Sequence, residues 1–574
     1  MTSSGTEKLP ATADVVIVGA GIAGLYCAWR LLEQNPSRNI VITERLNRTG
    51  GRLQTDLINI DGEVVREEEG GMRFNDSMVE FMYLCSSLKL ISEFTPFVMS
   101  GPNDRYCVRG ESFTDAEANA GDNSRWKTLY KLNPDEEHKS PGDIVGELFK
   151  KLLDDPGNRE VLRDHNVSYS QPTPEFWQVL RLYCKWENQP LNKWQLWGLM
   201  RRMGYSEECI NMVSATVGFA GPFLSRASAG EALQILGDFP TDSQYKTFRN
   251  GYSTLPDTLV ERIEDQNGEI FINCEVQNIV AADNTDSGQP LYDLQISTQL
   301  AAAPSETKHL QCDEPGTTVK TIRTPHVILS VGSKALRSLY HSSSVLRENP
   351  HLWEDMHSVL EMRLLKINLY YDSPWWSDKS RVPKPVKAGP SFTDLPVNAV
   401  YPFYSLAGAF EEGPAALTLY CDFNNTNFWQ GLQNIAPYFT SKLQHQHDED
   451  KIITGCSQAV VDEATRQLQQ VFDMPAPPPE PAMTSFRLWS GEDDFGYAYH
   501  QWALNADDAQ VIPRMVELAP HLYHCNESYS DMQGWVNGSL RSADLVLKRF
   551  GIEPLGQRSG HTAHSSSRPT ESSG

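Results

Sequence analysis

Short apolar runs along the chain alternate with longer stretches in which apolar positions recur every three or four residues. DVVIVG (14–19) is β-branched throughout, as expected of a strand buried on both faces. IAGLYCAWRLLEQ follows with helical spacing, and NIVITE (39–44) reads as a second strand. The three form a β-α-β unit. From about 120 to 235 the pattern is helical and rich in tryptophan and methionine, as in PEFWQVLRLYCKWEN. Residues 250–280 predict a loop, a helix, a turn and a strand, and HVILSVG (326–332) another buried strand. Between 364 and 421, segments such as LLKINLYYD and ALTLYCD predict sheet. MPAPPPEPAM (474–483) is a proline-stiffened connector. A strand, a loop and a helix run from HLYHCNES to SADLVLKRF. There is no fixed-period repeat, which argues against a solenoid or propeller.

At 574 residues the chain is too long for one ordinary core, and its 40% apolar fraction supports several. A net charge of −24 argues against a general nucleic-acid role, because binding phosphates needs a basic surface. The ten cysteines are scattered with no CxxC pair, and the histidines show no zinc spacing. Free thiols in a reduced, cytoplasmic protein are the expectation. MTSSGTEKLPATAD has no apolar signal core, and no run approaches the roughly 20 residues that span a bilayer. SGHTAHSSSRPTESSG reads as a disordered tail.

GAGIAG (19–24) stands between the first strand and its helix, where a GxGxxG run gains meaning. Gly19 permits a tight turn, Gly21 lets backbone approach a pyrophosphate, and Gly24 lets helix and strand pack closely. The helix N-terminus offers free N–H groups to phosphate. Glu44, closing the second strand, suits the two ribose hydroxyls of an adenosine and repels a 2′-phosphate, which disfavours NADP. TGGRL (49–53) then brings a second glycine pair and the cation Arg52 toward the same nucleotide.

ERLNRTGGRLQT resembles the continuation found in the flavin amine oxidase superfamily, which holds monoamine, polyamine and L-amino-acid oxidases. NESYSDMQGWVNGSLRSADLVL (526–547) looks like that family's flavin-closing motif. The resemblance makes Glu527 the acid that binds the ribityl or pyrophosphate region. Gly534 and Trp535 then line the substrate cavity, and the Val536 N–H faces the flavin O2 edge. The family has glycine before this acid, whereas this chain has Asn526, a residue that tolerates φ > 0 better than most. Val276 matches the residue whose backbone meets adenine, and GYSTLP (251–256) matches a Gly-x-x-x-Leu-Pro turn. The implied cofactor is FAD, non-covalent, since Cys525 is not at the usual attachment position. The resemblance is thin over 120–235 and 281–325.

EEEGGMRF (67–74) raises the question of substrate. It resembles the L-amino-acid oxidase segment in which an arginine clamps the substrate carboxylate, and Arg73 is the match. The resemblance also puts Gly70, Gly71, Met72 and Arg73 close to the flavin. Pairing of Arg73 with one of Glu67–Glu69 is the plainer alternative. Tyr401 in NAVYPFYS matches a tyrosine that reaches the same carboxylate, with Tyr404 a nearby rival. Lys366 in LLKINLYYD matches a lysine that holds a water near flavin N5; strand alternation leaves open whether it points inward. Arg73, Tyr401, Lys366 and Trp535 form the expected catalytic set. Glu492, Asp493 and Asp494 invite a basic substrate but have common structural uses, and Phe219 and Phe223 could shape an apolar pocket or simply a core.

The resulting expectation is an α/β fold, α+β overall. A Rossmann-like FAD-binding domain (11–75, 239–332, 491–551) is interleaved with a mixed-sheet substrate domain (76–118, 333–490) and a helical domain (119–238), before a tail at 552–574. The implied activity is oxidation of L-amino acids by O2 to a 2-oxo acid, ammonia and hydrogen peroxide. Amino acid 2-monooxygenase, amine or polyamine oxidase, and a non-catalytic flavin scaffold are the rivals. Neither nucleic acid nor membrane is an expected partner, and the family admits homodimers or larger assemblies.

Overall fold

The computed structural model describes residues 9–556 apart from 102, 121–124, 171, 239–243, 286–287, 299–309, 312–318, 407–411, 444–453 and 492–495. The sequence expectations for the extreme N-terminus and for most of the tail lie outside the described residues. Among those described, no helix is long and apolar enough to cross a membrane, and nine cysteines are buried free thiols.

The first strand, Val15–Val18, pairs in parallel with Ile40–Thr43 on one side and Val327–Leu329 on the other. Glu269–Ile272 and Leu522–His524 extend the sheet in parallel, and short outer strands complete seven. The pleat splits each apolar run between two cores. Val15, Ile17, Ile40 and Ile42 face a layer that includes Leu25 and Leu31 of helix Ile22–Gln34 and Leu540 and Val546 of helix Val536–Arg549. Val16, Val18 and Val41 face a three-stranded antiparallel layer through Val276, Ile279, Leu294 and Ile296. Burial on both faces is why these strands read as continuous apolar runs.

A second seven-stranded sheet runs Met483–Trp489, Leu364–Tyr371, Ala415–Asp422, Ala399–Tyr404, Ser391–Thr393, Arg105–Val108, Glu111–Thr114. It is antiparallel except where Ser391–Thr393 meets Arg105–Val108. The helices between 125 and 237 build a core of their own around Trp126, Leu148, Phe176 and Leu199. Their boundaries follow local chemistry. Pro141–Asp154, for example, starts at a capping box of Ser140 and Asp143 with proline in its first turn.

Candidate functional site: a nucleotide cleft beside a buried arginine

A cleft of about 360 Å³ opens at the carboxyl ends of the parallel strands. Of the residues expected to contact the cofactor, Gly19, Gly21, Glu44, Arg52, Gly71, Val276, Glu527, Gly534, Trp535 and Val536 line it. Gly19 turns at φ +103, and a Cβ there would lie 2.5 Å from the Ser330 carbonyl oxygen. A Cβ on Gly24 would lie 2.2 Å from the Gly19 carbonyl, so Gly24 serves packing just behind the cleft. Gly21 is different: nothing lies within 4 Å of its missing Cβ, because that side faces the opening.

Three helices begin at this cleft: Ile22–Gln34, Ser333–Ser342 and Val536–Arg549. None has a side-chain cap or an acid in its first turn among the described residues, so their leading N–H groups stay turned to the cleft. The middle one, preceded by Gly332, was not assigned a role from sequence. Its signal was a third strand running into glycine and then a helix, in HVILSVGSKAL. Glu44 accepts from the Ala20 N–H at 2.8 Å and the Leu46 N–H at 2.9 Å, which orients its carboxylate. Burial pushes that carboxyl up, and these two bonds oppose the push. An open glycine face, three uncapped helix starts and an oriented carboxylate suit pyrophosphate and adenosine ribose. The FAD expected from sequence therefore fits.

Glu527 is nearly buried and heavily bonded. One oxygen accepts from the N–H of His500 at 2.9 Å and of Gly534 at 2.8 Å. The other lies 2.6 Å from Arg52 Nη1 and 3.0 Å from His500 Nδ1. Burial raises the carboxyl, but Arg52 and His500 outweigh it and hold Glu527 well below the usual carboxylate range. Four donors match the roughly four lone-pair sites of a carboxylate. Glu527 thus sets the position of Arg52 and of the Gly534 turn, where φ is +82. Asn526 does not use the left-handed conformation anticipated for it. Its φ is −168, and its side chain instead accepts from the Ser528 N–H.

Arg73 and Tyr401 meet in a second cluster, outside the lining of the cleft. Arg73 is 6% exposed, and its Nη1 is 3.5 Å from the Tyr401 hydroxyl. The rings of Phe97, Tyr245 and Tyr401 stand 5.5, 5.7 and 5.6 Å from its Cζ. Trp535 lines the cleft and packs against both this cluster and the core beside the cleft. Tyr404 is excluded as a partner: an odd spacing puts it on the other face of its strand, where its hydroxyl bonds to the Lys387 carbonyl and Trp376. Phe219 stands edge-on to Tyr420, itself against Tyr401. Phe223 belongs to the helical core.

The three acids of EEEGG turn away to other partners. Glu67 bonds Thr418, Glu68 bonds Thr55 and the Tyr252 N–H, and Glu69 bonds Asn368 and Ser485. Lys366 points inward at 1% exposure and donates to the carbonyls of Glu68 at 2.6 Å and Gly70 at 2.7 Å. Burial pushes the three carboxyls up and the Lys366 ammonium down. Gly70 and Met72, expected near the flavin, do not line the cleft. Gly70 is forced by packing, since a Cβ would lie 1.9 Å from the Arg52 carbonyl oxygen. Met72 fills an apolar cluster with Ile58, Val65 and Tyr401. Glu492, Asp493 and Asp494 lie outside the described residues.

The chain resembles several known proteins along nearly its whole length. Achacin of Lissachatina fulica is 25% identical, with 94% of this chain and 93% of achacin covered. An L-amino-acid oxidase of Pseudechis australis is 22% identical, covering 94% and 87%. The structure of putrescine oxidase bound to putrescine superposes with a TM-score of 0.59 at 16% identity, covering 94% and 99%, which speaks to the fold alone. The model of the flavin containing amine oxidoreductases matches residues 22–546. With the nucleotide cleft, that match makes the chain a member of the flavin containing amine oxidoreductase family, with FAD as its cofactor.

Proposed function

We propose that the protein oxidises L-amino acids at Cα, giving a 2-oxo acid, ammonia and hydrogen peroxide. The observation that carries this reading is the buried Arg73 with the Tyr401 hydroxyl beside it. A planar guanidinium and a phenol that converge in an aromatic surround can hold a carboxylate with several directed hydrogen bonds. An amine substrate has no group that needs them. The L-amino-acid oxidase of Pseudechis australis supports the reading, and amine oxidation is its competitor within the family.

In this scheme Arg73 and Tyr401 fix the substrate carboxylate, and Trp535 walls the space between substrate and cofactor. Bound FAD supplies the acceptor that takes hydride from Cα and passes electrons to O2. Lys366 spends two of its three N–H groups on the Glu68 and Gly70 carbonyls. The remaining one is proposed to hold a water. Holding the substrate in one orientation is the main contribution of these residues. The interleaved domain division anticipated from sequence belongs to the same proposal, supported by separate cores for the parallel sheet, the helices and the second sheet.

The test is a peroxide-coupled assay of L-amino acids and their decarboxylated amines, with products identified. Arg73→Lys should retain FAD absorbance yet lose roughly 10- to 100-fold in kcat/KM, the worth of one or two charge-assisted bonds. Unchanged activity in Arg73→Ala, or turnover of amines alone, overturns the reading. A carboxamide product would instead indicate a monooxygenase.

A further inference from the structure

We propose that Asp238 receives the cationic end of the substrate side chain, so that the enzyme favours L-amino acids carrying an ammonium or guanidinium. This rests on Arg73 as the carboxylate clamp. Asp238 follows the last turn of helix Ala229–Gly237. Its Oδ2 accepts from the Trp535 indole at 2.9 Å, and its carbonyl accepts from the Tyr245 hydroxyl at 2.9 Å. Tyr245 is one of the rings around Arg73, and Trp535 packs against the same cluster. Asp238 is therefore tied, through its carboxylate and its carbonyl, to two residues that pack around Arg73.

Among the described residues, Asp238 forms no ion pair of its own. Its hydrogen bond comes from a neutral indole. The cation that acts on it, Arg181, is already engaged by Asp508 at 2.7 Å and Glu231 at 3.3 Å. Burial accordingly drives Asp238 up to about 7 and Glu231 up to about 8. A carboxylate in such a place is costly unless a cation reaches it. An Arg73 clamp and the Asp238 carboxylate beside Trp535 would together suit an α-carboxylate and a side-chain cation on one molecule.

The probe that separates binding from turnover is 6-aminohexanoate, which carries lysine's carboxylate and terminal ammonium without the reactive α-amine. It should inhibit more strongly than hexanoate, by about 10-fold or more, the worth of a charge-assisted bond. Asp238→Asn retains an acceptor for Trp535; it should erase that difference and lower kcat/KM for L-lysine and L-arginine by about 10-fold or more, leaving L-leucine unchanged. Equal inhibition by the two acids in the wild type, or an unchanged lysine-to-leucine ratio in Asp238→Asn, overturns the inference and leaves the clamp intact. Failure of the clamp has a different signature: Arg73→Lys would spare lysine and leucine alike.

Discussion

Glu68 lies beneath the Arg73 segment with its carboxyl sealed from water and bonded to Thr55 and the Tyr252 N–H. Burial raises it to about 7, with Arg66 and Thr55 opposing. A carboxyl raised in the folded state binds more protons there than in the unfolded chain. Its stabilising contribution is complete below the unfolded value of about 4.3 and is lost as pH rises to about 7. Glu68→Gln should therefore flatten the decline of Tm between those pH values, measured by thermal melts across the range; an unchanged slope would show that Glu68 does not titrate there. Arg73 was legible in the sequence because its neighbours GGM and F carry a family pattern. The inward turn of three acids was not, because alternation predicts that consecutive residues face opposite ways and cannot foresee burial on both faces. Asp238 carried no local signal at all, since its partners Trp535 and Tyr245 are set by folding.

Among the elements, glycine positions and helix starts fail differently. Gly70 has the Arg52 carbonyl where a Cβ would be, and its own carbonyl is held by Lys366. Gly70→Ala must move backbone on both sides, and should cost more than about 3 kcal/mol in denaturant unfolding together with loss of bound FAD. Ser140→Ala removes a capping box far from the cleft and should cost about 1 kcal/mol with FAD retained. Similar losses from the two variants would contradict this account. Helix and strand identities in the β-α-β unit were readable because periodicity and turn glycines agree there. The start of Ser333–Ser342 at the cleft was not, as a helix terminus becomes a site only when its sheet neighbours bring it to a common edge.

For the whole molecule, FAD binding should be felt as stability. A ligand that binds only the folded state at 100 times its Kd adds about 2.7 kcal/mol. FAD added to apoprotein should raise Tm, whereas FMN, which lacks the adenosine that Glu44 is oriented to meet, should do so far less; equal shifts would remove Glu44 from recognition. The sequence by itself determined the β-α-β start and its nucleotide-binding turn, because those features are local turns and residue spacings, while FAD and the candidate Arg73–Tyr401 pair came from the resemblance of short motifs to a family. Tertiary structure alone decided that Lys366 faces inward, that Glu527 acts through Arg52 and His500, and that Glu67–Glu69 turn away from Arg73. Each depends on segments distant in the chain being brought together by folding, and on burial that removes water as the alternative partner.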